Sequence, residues 1–144
     1  MFFTLVEMLL VIAIFTILLV ISFKGLVESV RRTKNLRAAI ELKQIQQIIN
    51  LYHEDYRSYP PDLAAVEVRN MKDPWSTLYQ YQNYSLISNG ARRKDRNLNP
   101  LNSAYDLWSN GKDQKTNKQI NGFYARDDII VANDGEFVGL ASDY

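Results

Sequence analysis

Cysteine is absent from this chain of 144 residues, and histidine occurs once, as His53. The first absence removes a disulfide framework and any thiolate metal site, and leaves the redox compartment open. The second argues against an imidazole zinc centre and against histidine-based acid–base catalysis. Proline is missing before Pro60, so nothing in that stretch breaks a helix. Charge of one sign is missing too: 17 Lys and Arg against 16 Asp and Glu leave a net +1, too little to attract nucleic acid or another polyanion. Nor is there a nucleophile elbow, a phosphate loop or an HExxH motif. The expectation is a protein that is not an enzyme.

What the chain does have is apolar residues at its start. Residues 8–23 carry no charge, and from Leu5 to Phe23 only Glu7 interrupts the run. That approaches the ~20 residues needed to span a bilayer. No basic region precedes it and no small-residue cleavage site stands before Lys24, so it reads as a retained anchor rather than a removable signal. Glu7 lies at the mouth of this run, where a charge within lipid costs about 2.5–3.5 kcal/mol on insertion scales and usually has a partner or a task. The positive end of a helix dipole favours a carboxylate in the first turn. Two readings stand: an anchor whose Glu7 snorkels to the interface, or a carboxylate that pairs during assembly. Lys24, Arg31, Arg32, Lys34 and Arg37 follow the span, and the positive-inside tendency alone would leave the rest of the chain in the cytoplasm.

Beyond the span, Ala38, Leu42, Ile45, Ile49, Tyr52 and Tyr56 recur at helical spacing, with Lys43, Gln44, Gln46, Gln47 and Asn50 filling the other side. Tyr59-Pro60-Pro61 ends that pattern. The spacing predicts one helix over about 3–56, apolar in its first half and amphipathic in its second. After it, 62–71 reads as a short turn or loop and Lys72-Asp73-Pro74-Trp75 as a turn. Alternation predicts strands over 78–82, with 84–87 as a continuation, and over 105–109. Segments 88–103 and 110–124 read as polar loops, and 128–131 and 137–140 as short apolar pieces around Asn133-Asp134-Gly135. The fold class is α+β: a long N-terminal helix packed by its second half on a small antiparallel sheet. The divisions are an assembly helix half over 1–24, an amphipathic half over 25–59 and a globular β domain over 60–144.

Phe3-Thr4-Leu5-Val6-Glu7 and the apolar run after it resemble the start of type IV pilins and of the pseudopilins of type II secretion. Lys72-Asp73-Pro74-Trp75, Tyr79-Gln80-Tyr81, the segment from Tyr105 through Trp108 to Asp113, and Asp127-Asp128-Ile129 are similar, in the same order, to the major pseudopilin of those systems. The resemblance implies a type IV pilin-like fold and a structural subunit of a filament drawn from the inner membrane for protein export. A prepilin peptidase would cut before Phe3 and methylate its amino group, and Glu7 would be the assembly glutamate. The new α-amino cation would then lie about one helical turn from Glu7, and pairing with it, in the same subunit or a neighbour, would offset desolvation in lipid. The family has glycine before the cut where this chain has Phe2, and commonly glycine and proline where it has Thr16 and Lys24.

The same resemblance implies one calcium ion in the late loop, on the Asn110 carbonyl, the Asp113 side chain, Asp127 and Asp128. Calcium takes six to eight oxygens, which clustered aspartates beside a turn can supply; the alternative is that Asp113 caps a turn and Asp127 and Asp128 form a solvated pair. Implied partners are further copies of this chain, other pseudopilins, the inner-membrane assembly machinery and the peptidase. The implied location is a single pass through the inner membrane with the globular part periplasmic or extracellular, and then the filament. A pilus or competence pilin, or an anchored binding domain that does not polymerise, are the competing readings. Arg92-Arg93-Lys94-Asp95-Arg96 reads as a solubilising loop tip in preference to a nucleic-acid contact. Trp75, Tyr79, Tyr81, Tyr84 and Trp108 read as sheet and core residues.

Overall fold

The computed structural model describes residues 4–144, so Phe3 lies outside the described residues. Helix α1 runs over Leu5–Tyr56. Its start follows from local chemistry. Thr4 stands just before the first helical residue, and Glu7 three positions on. The Thr4 N–H donates to Glu7 Oε2 at 2.8 Å and its hydroxyl to the same oxygen at 2.9 Å, while the Glu7 N–H reaches Thr4 Oγ1 at 3.3 Å. This is a reciprocal capping box, which satisfies donors that have no partner within the helix.

The chain divides into two units, Met1–Lys34 and Asn35–Tyr144. In the first, every described apolar side chain from Leu5 to Val30 that is large is exposed, Leu5 at 76% and Phe23 at 70% among them. Thr16 donates its hydroxyl to the Ile12 carbonyl and Thr33 to that of Ser29, so these polar groups are satisfied within the helix. Glu28 takes two bonds from Arg31 and one from Arg32.

In the second unit the helical spacing has its expected result. Ala38, Leu42, Ile45 and Ile49 are fully buried, Tyr52 is half-buried, and Tyr56 is exposed and stacks on Tyr52. They pack with Leu63, Tyr79, Tyr105, Leu107, Ile129 and Val131. The sheet has four antiparallel strands in sequence order: β1 (Gln80–Asn83), β2 (Tyr105–Ser109), β3 (Ile129–Ala132) and β4 (Phe137–Leu140). Tyr81 opposes Leu107, Trp108 opposes Ile130, and Val131 opposes Val138.

Alternation along β2 and β3 sends Tyr105, Leu107, Ile129 and Val131 to the helix side. Trp108, Ile130 and Ala132 go to the other side, where Leu101, Ile120 and Ala141 cover them. Both faces are therefore buried: β3 is an unbroken apolar run, while β2 carries Asp106 and Ser109 into the interior. The expected continuation of β1 over 84–87 is instead a turn, tied by Asn83 Oδ1, which accepts from the backbone and hydroxyl of Ser85. Tyr79 donates to Glu41 at 2.5 Å, joining the strand region to the helix within this unit.

The helix stops at Tyr56 because Arg57 turns into the left-handed region, at φ 55, with its N–H on the His53 carbonyl. Pro60 is then held by Tyr81 and Asn83, which both donate to its carbonyl.

Candidate functional sites

Two places drew functional expectations, the helix start and the late loop. At the start, Glu7 is brought to Thr4, and Phe3 falls outside the described residues. The acidic side chain already has two donors in its own turn, so it is held at a fixed position at the mouth of the apolar surface. The capping box itself was legible as Thr-x-x-Glu before an apolar run, a pattern the sequence reading passed over.

The late loop is built on a junction between two segments distant in sequence. Asp73, 4% exposed, accepts the N–H groups of Trp75 and Thr77 on Oδ1, and the Ser109 hydroxyl on Oδ2 at 2.5 Å. Ser109 in turn accepts the N–H of Gly111. The Lys72-Asp73-Pro74-Trp75 turn and the end of β2 thus lock one another, and the chain leaves Ser109 in a fixed direction. Gly111 sits at φ +65 with its Cα against the Asp127 carbonyl, where a Cβ would collide with backbone. That close approach brings Asp113 to Asp127: the Asp113 N–H donates to Asp127 Oδ2 at 2.9 Å.

Of the four positions implied for calcium, Asp113 and Asp127 come together at this turn. Asp113 Oδ1 also accepts the Lys115 N–H, as in a side-chain-closed turn. Asn110 uses its side-chain oxygen on the Trp108 indole N–H. Asp128 is engaged elsewhere. It is fully buried and takes the Arg93 guanidinium at 2.6 Å and the Thr116 hydroxyl. Among the described residues no three or more Asp, Glu, His or Cys side chains form a group that could hold a metal. Asp113 meets Asp127 through its backbone N–H, and its own carboxylate is turned to Lys115. Arg93 and Thr116 both bind Asp128 Oδ2, and its Oδ1 is buried without a partner.

Arg93 was missed by the sequence reading, which placed it in a solubilising loop tip. It is 3% exposed. Its backbone N–H donates to Asp106 at 2.7 Å, its guanidinium binds Asp128 and the Thr116 hydroxyl, and its Cζ lies 4.6 Å from the centre of the Trp108 ring. Asp106, Trp108 and Asp128 all belong to the sheet face away from the helix, and Arg93 draws the 88–103 segment across it. Lys94 continues the attachment, donating to the Lys118 carbonyl while its own carbonyl accepts from Ile120. The available signal was two aspartates, Asp106 and Asp128, within otherwise buried strands, because buried carboxylates call for a cation or several donors.

Burial pushes the Asp128 carboxyl up to about 6, against the pull of Arg93 and Thr116. Burial also raises that of Asp106, opposed by the bonds from Tyr84, the Arg93 N–H and Asn102.

No family model matches the chain, and neither a curated protein nor a solved structure matches it.

Proposed function

We propose that this chain is a structural subunit of a type IV pilin-like filament, of the pseudopilin kind that serves type II protein secretion. It would wait in the inner membrane as a single-pass protein with its globular unit outside the cytoplasm, and then be drawn into the filament. The observation that carries this reading is Glu7. It is fixed by Thr4 at the first turn of a helix long and apolar enough to cross a membrane, whose large apolar side chains from Leu5 to Val30 are exposed. Lipid can cover that surface in the waiting state, and the same segment of neighbouring subunits can cover it in the filament. Peptidase processing at Phe3 and pairing of the new amino group with Glu7 of a neighbour are the steps that would select the second state. The subunit itself performs no chemistry in this reading.

Filaments counted by electron microscopy test the reading. Glu7→Leu is expected to leave membrane insertion intact and to lower filament yield sharply. Wild-type filament yield from that variant removes the assembly role. The lack of any filament from the wild-type chain, expressed with its assembly machinery, would leave an anchored domain that does not polymerise.

Calcium belongs to the same proposal. Asp113 and Asp127 are the side chains that would hold it, with Asn110 contributing its carbonyl. When bound, the ion would fix the loop between β2 and β3. Calcium at a hundredfold excess over Kd would add about 2.7 kcal/mol to stability. The expected result is a melting temperature that rises with calcium, falls with chelator and no longer responds in Asp127→Ala. An unresponsive wild-type protein overturns the metal and leaves the filament reading untouched.

A further inference from the structure

A cleft of about 430 Å³ opens where α1 ends, lined by His53, Arg57, Tyr59, Tyr84, Arg92 and Ser103 among others, with no carboxylate in its wall. Its charges are unanswered. Among the described residues neither Arg57 nor Arg92 makes an ion pair. Arg92 lies over the Tyr84 ring with its Cζ 4.4 Å from the ring centre. Stacking of that kind uses the flat face of a guanidinium and leaves its in-plane N–H donors for a ligand. Its Nε is shut off from solvent without a partner, which leaves the two terminal nitrogens of the guanidinium as the donors for a ligand. On the facing wall the His53 ring stacks on Tyr59, centres 4.1 Å apart and planes 6° from parallel, and its Nδ1 is likewise buried without a partner.

Buried polar atoms normally find a hydrogen bond, so two orphans on residues lining one cleft mark its wall as incompletely satisfied, although neither atom is itself open to a ligand. Arg57 completes the set: its left-handed backbone, uncommon for a side chain of that size, follows directly on the last turn of the helix. Asp106 is bound by Tyr84, Asn102 and the Arg93 N–H, and Asp134 Oδ1 accepts the Ser103 N–H.

We propose that this cleft is a binding site for a phosphoryl group, with Arg57 and Arg92 as its charged ligands and His53 as a further donor. Two guanidinium groups and an imidazole lining one cleft offer more donors than a single carboxylate has acceptors. A tetrahedral oxyanion with three or four oxygens uses them all. The aromatic faces of Tyr59 and Tyr84 stiffen the two donors before the ligand arrives, so little side-chain freedom is lost on binding. The site stands independently of the filament reading, since none of its residues belongs to the apolar half of the helix.

The lone histidine gives a direct readout, because the detergent-solubilised full chain has one imidazole signal in proton NMR. Titration with inorganic phosphate is expected to move that signal saturably in the millimolar range, while chloride at equal ionic strength does not. A phosphate monoester such as phosphoserine, run in parallel, separates the sources: equal affinity assigns the site to the free anion, and tighter binding assigns it to a phosphoryl group on a larger ligand. Arg57→Ala and Arg92→Met are each expected to weaken binding by about tenfold or more, the loss of charged hydrogen bonds. Arg96→Ala, exposed and outside the cleft, should leave it unchanged. Arg57 is itself exposed, so its variant is not expected to disturb folding. An imidazole signal that phosphate leaves in place, or that chloride moves equally, overturns the proposal. So does binding that survives both substitutions.

Discussion

The two units use the same residue types to opposite ends. Leucine, isoleucine and valine between Leu5 and Val30 are exposed, whereas Ile45, Ile49, Leu107 and Ile129 are wholly buried. Polar chemistry is divided in the same way. In the first unit hydroxyls and charges are satisfied by neighbours three or four residues off, as Thr16 by Ile12 and Glu28 by Arg31 and Arg32. In the second unit the decisive bonds join residues far apart, such as Asp73 to Ser109 and Arg93 to Asp128. A segment with local bonds and uncovered apolar surface keeps its secondary structure in any apolar surroundings. A segment with distant bonds and a closed core has one fold of its own. That contrast suits a subunit that must change surroundings without changing the part it displays.

The largest expected effect comes from forcing the second unit to resemble the first. A charge at Ile45 in Ile45→Asp would sit in a core with no cation beside it, and loss of cooperative folding is expected. The milder Ile49→Ala should cost about 2–5 kcal/mol in chemical denaturation. By contrast, Leu9→Ala or Ile17→Ala, in the exposed stretch, should leave the unfolding midpoint of the globular unit where it is. A shift of that midpoint by the exposed-stretch variants would show that the two units are energetically one.

Next in size is the buried ion pair. Removing one partner, as in Arg93→Ala or Asp128→Ala, is expected to cost about 3–5 kcal/mol, because the other charge is left in the interior. Replacing both with apolar residues of similar volume, Arg93→Met with Asp128→Leu, should recover most of the loss. The pair therefore distinguishes a bond that sets which loop covers the sheet from one that supplies net stability. A double variant as unstable as the worse single variant would mean that the Thr116 and Trp108 contacts, and not the charges, hold the loop.

This pair also marks where sequence reasoning stopped. The helix face, strand β2 and most of β1 followed from spacing and alternation, which are local properties of the chain, whereas β3 and β4 stood out only as short apolar pieces. The turn at Asp73 followed too, though not its bond to Ser109. The covering of the outer sheet face did not follow, because it depends on Arg93 meeting Asp128 across 35 positions, and a run of basic residues reads alike whether solvated or buried. Arg96 is exposed, Arg92, Lys94 and Asp95 are half-buried and Arg93 is buried, so one run of like residues is divided by burial. In the late loop, the same four polar positions that the resemblance grouped are divided by burial: Asp128 goes to the arginine, and Asp113 and Asp127 remain together at the Gly111 turn.

The smallest expected effect lies at the helix start, and it separates two roles of one residue. As a cap, Glu7 acts through its oxygens; as an assembly partner, it acts through its charge. Thr4→Ala removes the hydroxyl that accepts from the Glu7 N–H and donates to its carboxylate, keeps the backbone N–H bond, and should cost the first turn about 0.5–2 kcal/mol, seen as faster amide exchange at Glu7 and Met8 in detergent. Glu7→Gln keeps an oxygen able to accept from Thr4 while removing the charge, so exchange there should change by less. Filament yield is expected to follow the other order. It should collapse in Glu7→Gln, which has no charge to offer an incoming amino group, and fall modestly in Thr4→Ala, which keeps the carboxylate. Equal yields from the two variants would mean that a well-formed first turn is all that assembly asks of Glu7. In that case the exposed apolar surface alone would decide where the helix goes.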